Sequence, residues 1–443
     1  MKKYFTGLSL MVSILVAAQD TIGIKQKKLS LHLQVTLIPQ YHFNFSAPYT
    51  GDRSFIPSEP IATSFTTTLF INYKPFKNTY LVFNPEAAGG KGLSKTQGIA
   101  GFPNGEVYRV GDPKPRPFIA RLYVEQRFPL TKKMVVLEDD LNQIAEITHK
   151  DYISIILGKF SLPDFFDDTQ ISNDPRTQFM NWSLFGNGAW DYPANTRGYT
   201  MGLVAQAFYK GFTLKYANTA VPIEANGAEL QFKGKDASGQ VIELGVERFQ
   251  LFKKKSADHY HSLRIGIYSN KAHMGNYAAS IKTGLQTFTA PDIEDSRQYG
   301  RKKNGYYISL DNHFGKVHHF VKHSYNDGEN ETWAFTEIDK SVATGFRFDG
   351  DIWKRKKDAF GIEYVRNNLS DIHKQYLQNG GEGFIIGDGK LNYGTEKIVE
   401  IYYSCNVWKK IFLTPDYQYV SNPGYNKDRG PVHLLALRLH VEW

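Results

Sequence analysis

One cysteine in 443 residues, Cys405, rules out an intramolecular disulfide, so no disulfide framework supports this fold. It lies in VEIYYSCNV in phase with Val399, Ile401 and Tyr403, where it reads as a small apolar residue on a buried or lipid face. Beyond the first twenty residues no apolar run approaches the roughly 18–20 that a spanning helix requires. There is no domain linker, no low-complexity tract and no sustained helical periodicity. The one helical candidate is Val136–Thr148, with Leu137, Leu141, Ile144 and Ile147 at helical spacing.

Catalytic and ligand motifs are missing as well. No GxSxG or comparable nucleophile spacing occurs, which argues against a barrel-borne lipase or protease. His318, His319 and His323 lie close together without an HExxH, and read as solvated or interfacial histidines. GGKG within Asn84–Pro117 lacks the GxxxxGK[ST] spacing and an adjoining helix. Asp327, Glu329, Glu331, Glu337 and Asp339 crowd NDGENETWAFTEID without the spacing of a calcium loop. No enzyme activity, cofactor or metal is expected.

What is present begins with a leader. Lys2 and Lys3 precede an apolar core from Phe5 to Val16, and Val16 and Ala18 suit cleavage after Ala18. Residues 1–18 are expected to be removed, with 19–443 forming one domain. The loss of two lysines would take the formal charge from +9 to +7.

Aromatics reach 14%, with 27 Tyr and 30 Phe, although the mean hydropathy is only −0.41. Alternation explains the combination. In PVHLLALRLHVEW (Pro431–Trp443), Leu435, Leu437, Leu439, Val441 and Trp443 share one face; Leu434, Ala436, Arg438, His440 and Glu442 share the other. LSLHLQVTLIPQYHF repeats the pattern, with Leu31, Leu33, Val35, Leu37, Tyr41 and Phe43 opposed by His32, Gln34, Thr36, Gln40 and His42. It is long enough to cross about 25–30 Å of bilayer at a tilt, whereas strands of soluble sandwiches usually stop at about five or six residues.

The pattern recurs at Phe65–Tyr73 and at Phe118, Ala120, Leu122, Val124 and Phe128, opposed by Arg121, Glu125 and Arg127. It returns at Leu263–Ile267, Phe360–Tyr364, Val399–Tyr403 and Leu413–Tyr419, opposite Arg264, Glu363, Glu400, Asp416 and Gln418. Charges of both signs behind an oily face imply a wet interior, because a dry core would desolvate each at several kcal/mol. The expected fold is all-β: a single transmembrane antiparallel barrel of about 16 strands, 18 being the alternative. An exported adhesive β-protein remains the soluble alternative.

Gly158–Gly202 is the densest run of unusual residues. It holds Asp164, Asp167, Asp168, Asp174 and Asp191, Arg176 and Arg197, and Trp182, Trp190 and Tyr192, broken by Pro, Gly and Asn. This is expected to be a loop folded into the barrel. Sugars pair hydroxyls with carboxylate and guanidinium groups and rest C–H faces on aromatic rings, so such a lining would favour neutral carbohydrate. The competing reading is a loop whose aromatics merely plug and rigidify it.

These stretches resemble the carbohydrate-selective porins of Gram-negative outer membranes, the OprB-like family, from about Leu31 to Trp443. The most specific parts are FSAPYTG (Phe45–Gly51), NPEAAGGKGLS (Asn84–Ser94), GFPNGEVYRVG (Gly101–Gly111), LGKFSLPDFFD (Leu157–Asp167) and DPRTQFMNWSLFGNGAWDYPANTRGYT (Asp174–Thr200). EANG (Glu224–Gly227), WAFTEID, LNYG and Leu413–His440 add to them. The resemblance implies passive diffusion of sugars into the periplasm through an inward-folded constriction. The residues expected there are Arg176, Trp182, Trp190, Asp191 and Arg197, with Asp164, Asp167, Arg121, Glu125, Arg127 and Glu224 as further candidates. Implied partners are the transported sugars, outer-membrane lipid and lipopolysaccharide, with a homo-oligomer compatible and no nucleic acid. Net positive charge keeps an anion-preferring general porin as the alternative. Cys405, Lys253–Lys255 and Lys354–Lys357 look peculiar to this chain.

Overall fold

The computed structural model describes residues 27–107, 114–250 and 258–443. The leader Met1–Ala18, Lys253–Lys255 and the Tyr108–Gly111 end of the GFPNGEVYRVG stretch lie outside them. Sixteen strands close into one antiparallel barrel. They are β1 (Leu29–His42), β2 (Ala62–Phe76), β3 (Thr79–Gly90), β4 (Arg116–Pro129), β5 (Tyr152–Phe160), β6 (Thr200–Tyr209), β7 (Phe212–Thr219) and β8 (Ser238–Phe249). There follow β9 (His259–Met274), β10 (Gln298–Phe314), β11 (Val317–Asn326), β12 (Lys340–Asp349), β13 (Ala359–Asn368), β14 (Glu396–Trp408), β15 (Ile411–Ser421) and β16 (Val432–Glu442).

Closure is made by β1 against β16, with Val35 opposite Val441 and Leu37 opposite Leu439. The Trp443 backbone N–H donates to Leu33 O at 2.9 Å, so the last residue is tied into the seam. A closed barrel leaves no unpaired edge, which is what lets strands stand in hydrocarbon. The outward face is oily: Leu31, Leu122, Leu157, Leu244, Ile267 and Leu437 are all exposed. At one end the band finishes on Phe76, Phe128, Tyr209, Phe212, Phe314, Trp408 and Trp443, the aromatic girdle of a membrane interface. That end carries the two-residue turns and is the periplasmic one; the long loops mark the opposite end.

Among the described residues the α-helices are two short ones, α1 (Tyr277–Thr287) and α2 (Asp371–Gln378), both in long loops. The helix expected over Val136–Thr148 does not form. Met134–Leu137 pairs with Glu146–His149 as a hairpin, with Asp140 and Gln143 bridging around a turn at Leu141 and Asn142. Asn142 takes φ 52°, a left-handed turn conformation that Asn tolerates.

One smaller correction follows from register. A bulge between β3 and β4 pairs Asn84 with Arg121 but Pro85 with Ile119, so Phe118 and Ala120 turn inward and Ile119 outward. NPEAAGG is the end of β3, its outward positions Pro85 and Ala87 being small rather than large apolars. The loop between β9 and β10 ends at Arg297, because both strands continue beyond the oily band on polar residues.

The interior is packed on one side. Ser161–Tyr199 folds into the barrel against β8–β16, and wall charges serve its backbone. Lys322 donates to Asp167, Ser172 O and Leu184 O at 2.7–2.8 Å. Glu400 accepts from the Met180 and Asn181 N–H groups, and Arg438 donates to Pro175 O and Gln178 O. Strand glycines make room for the aromatics: Tyr307 lies over Gly266 and Tyr402 over Gly361, so Trp190 and Phe179 pack on those rings at 5.1 and 4.9 Å. The expectation of a uniformly wet interior is thus corrected on this side. Arg264, Glu363, Glu400, Asp416 and Arg438 are buried. Their desolvation is offset because an inserted loop brings many N–H and C=O groups that themselves need partners.

Candidate functional site

On the other side, against β1–β4, a cavity of about 390 Å³ remains. Roughly 300–1,000 Å³ is the range of small-molecule sites. The inserted loop supplies Asp164, Asp168, Arg176, Trp182, Tyr192, Arg197 and Tyr199; the wall supplies Gln34, Thr66, Glu86 and Arg121; the loop between β3 and β4 supplies Glu106.

Arg176 is the hub. Its guanidinium donates to Glu106 at 2.7 Å, to Thr68 at 2.9 Å, to Glu86 at 3.0 Å and to Gln34 at 3.4 Å. Burial alone would lower its pKa, but Glu106 and Glu86 outweigh that and hold it well above the ordinary arginine value. Even parity on β1–β3 makes this arrangement, aiming Gln34, Thr68 and Glu86 at one point. Arg121 forms a two-pronged pair with Asp164 at 2.5 and 2.7 Å and lies 5.5 Å from the Tyr199 ring centre. Arg197 covers the Phe118 ring at 4.1 Å, a contact made available by the β4 bulge. Trp182, with its ring near Phe185 and Phe335, forms the apolar wall.

The remaining sequence candidates lie elsewhere. Asp191 is fully buried, its carboxylate accepting N–H groups of Trp333, Ala334, Phe335 and Thr336 at 2.7–3.3 Å. Trp190 packs among Phe166, Tyr268 and Tyr307. Asp167 pairs with Lys322 and Ser309 within the packed side. Glu125 and Arg127 pair with each other lower on β4, Arg127 lying over Tyr80 and Tyr152. Glu224 is exposed on the loop between β7 and β8. Sequence reading missed Glu86, Glu106 and Tyr199. Inward parity within β3 is the signal for Glu86, obscured because the strand's end lacks large apolar residues on its outward face.

The arrangement sets two guanidinium groups against carboxylates and lays a third over an aromatic ring, in a lumen open on one side of a closed barrel. The model of the carbohydrate-selective porin family, OprB, matches residues 55–443. The chain belongs to that family. It is an outer-membrane channel of the porin class. Among solved structures it is similar to the high-pH structure of Pseudomonas putida OprB, with TM-score 0.67, 14% identity and 94% of each chain covered. It is also similar to the outer-membrane channel DcaP of Acinetobacter baumannii, with TM-score 0.51, 9% identity, and 94% and 97% of the two chains covered. At these identities the likeness is one of fold. No curated protein matches the chain by sequence.

Proposed function

We propose that this porin is a passive channel for neutral sugars, glucose or similar mono- and oligosaccharides, moving into the periplasm down their gradient, with the 390 Å³ cavity as its eyelet. The observation carrying this reading is that each eyelet guanidinium is matched: Arg176 by Glu86 and Glu106, Arg121 by Asp164, Arg197 by the Phe118 ring. Compensated charges leave little field to select a simple ion. They still offer donors and acceptors to hydroxyls, while Trp182 and Tyr199 offer faces to sugar C–H groups. Arg176, Arg121, Asp164, Arg197 and Trp182 are the residues that meet the solute. Asp191, Trp190 and Asp167 act by holding the loop that carries them. The leader is removed after Ala18, the girdle contacts outer-membrane lipid, and basic loops contact lipopolysaccharide.

Liposomes carrying the pure protein will swell in isotonic glucose faster than protein-free liposomes. Swelling at the protein-free rate would reject the proposal. An anion-preferring general porin is favoured by formal charge alone, +9 for the full chain and +7 without Lys2 and Lys3 of the leader. Reversal potentials in a salt gradient separate the two: the matched eyelet gives weak ion preference, the general porin a clear anion preference.

A further inference from the structure

The turns at the periplasmic end are short, with one large exception among the described residues: the connection from β4 to β5, residues 130–151. Its hairpin does not hang into the periplasm. It turns up into the barrel along β1–β3, as its partners show, because each of them faces the lumen. The Asn72 side-chain N–H donates to Asn142 O at 2.8 Å. Asn84 and Asn142 exchange side-chain amide hydrogen bonds at 2.8 and 3.1 Å. Glu146 takes hydrogen bonds from both Lys74 and Tyr80. At the base, Lys27 pairs with Asp139 at 2.8 Å, and its backbone N–H donates to Ala145 O. Asn72, Tyr80 and Asn84 are all buried beneath this tongue. So many ties from both edges make it a fixed wall, not a swinging flap.

The tip reaches the eyelet from below. Leu141 and Asn142 line the same cavity as Arg121 and Arg176. Opposite them stand Asp168, Thr169, Asn173 and Asp174 of the inserted loop. On the β7–β11 side the inserted loop is tied to the wall. There Asp168 binds Lys215 and Arg264, and Gln170 reaches His313 and Tyr260. Tongue and inserted loop thus border the same opening, and a solute leaving the eyelet on that side passes between them.

We infer that the tongue Glu138–Ala145 is a second constriction on the periplasmic side, with Leu141 and Asn142 as specificity-determining residues of the exit. Leu141 offers an apolar contact. Asn142 has two amide N–H groups, of which Asn84 takes one, leaving the other for a solute hydroxyl. The solute's identity rests on the sugar reading proposed above; the tongue's place in the path does not.

Three variants of the full chain test this. One replaces Glu138–Ala145 by Asn-Gly, the preferred two-residue hairpin turn. A second is Leu141→Trp, which adds bulk while keeping every tongue hydrogen bond described. A third is Asn142→Gly, which removes the amide and keeps the positive φ. Each is first shown to be folded by heat-modifiable migration, then read by single-channel conductance in potassium chloride and by liposome swelling in glucose and maltose. Excision will raise conductance by about two-fold or more and erode the preference for glucose over maltose. Leu141→Trp will lower conductance, and Asn142→Gly will change the sugar ratio more than the conductance. Folded excision and Leu141→Trp variants that conduct as the wild type would overturn the inference. Conductance changes in the expected directions, with no protein admitting sugar, would uphold the tongue as exit wall and reject the sugar reading.

Discussion

Arg176 holds two carboxylates from two different segments, one on β3 and one on the loop between β3 and β4. Cutting it to alanine leaves Glu86, buried in the wall, without its cation. A broken buried pair costs about 3–5 kcal/mol, and the uncompensated carboxylates should draw cations. Arg176→Ala is expected to lower the urea midpoint of the refolded barrel and to shift the reversal potential toward cation preference. Arg176→Lys should recover only part of either effect, because an ammonium cannot reproduce the planar fork that reaches Glu106, Thr68 and Glu86 together.

A second residue-scale test concerns pH. Asp339, in the loop after β11, is buried, which would raise its pKa, but His373 of α2 outweighs the burial and brings it down to about 2. The folded value lies below the unfolded one. The pair's stabilisation is therefore present above about pH 4 and is lost as pH falls through about 2, a contribution of about 2 kcal/mol at neutral pH. The fall in urea midpoint between pH 4 and pH 2 should be smaller in Asp339→Asn than in the wild type.

At the scale of elements, the inserted loop is held by Asp191, which gathers four backbone N–H groups of Trp333–Thr336. Asp191→Ala leaves them buried without an acceptor, at about 1–3 kcal/mol for each group that cannot find another. Limited proteolysis should then cut within Ser161–Tyr199 while the barrel stays intact, and single-channel current should become noisier. A loop as resistant as the wild type would contradict the latch.

The strands themselves were legible because lipid imposes a period of two that nothing else in the chain obscures. Leu31 to Phe43 and Leu435 to Trp443 stand on the faces their alternation implies. Legibility failed where another constraint took over. Leu137, Leu141, Ile144 and Ile147 match a helix, yet the Leu141–Asn142 turn and strand pairing against the lumen wall make a hairpin. Phe118 and Ala120 follow the outward phase until a bulge, invisible to parity, reverses them. In the inserted loop the residue types were readable but not their roles. Arg176 and Asp191 look alike as charged loop residues, and only the tertiary fold sends one to the cavity and the other into a backbone nest.

For the molecule as a whole, two facts set the function: a closed ribbon with an oily outside, and a lumen filled on one side and open on the other. The filled side makes the eyelet rigid; the open side makes it small and chemically balanced. The positive formal charge of the chain is not expressed as bare cations at the eyelet, where each described guanidinium has a partner. The exported adhesive alternative does not account for an aromatic girdle and a closed barrel, and the chain's family membership places it among channels.

The most direct measurement of the central claim is the ion current through one reconstituted channel while glucose is added on the loop side. The account predicts brief interruptions whose frequency rises with glucose concentration and which Trp182→Ala markedly shortens. A steady current, changed by no more than the viscosity of the sugar solution, would contradict it.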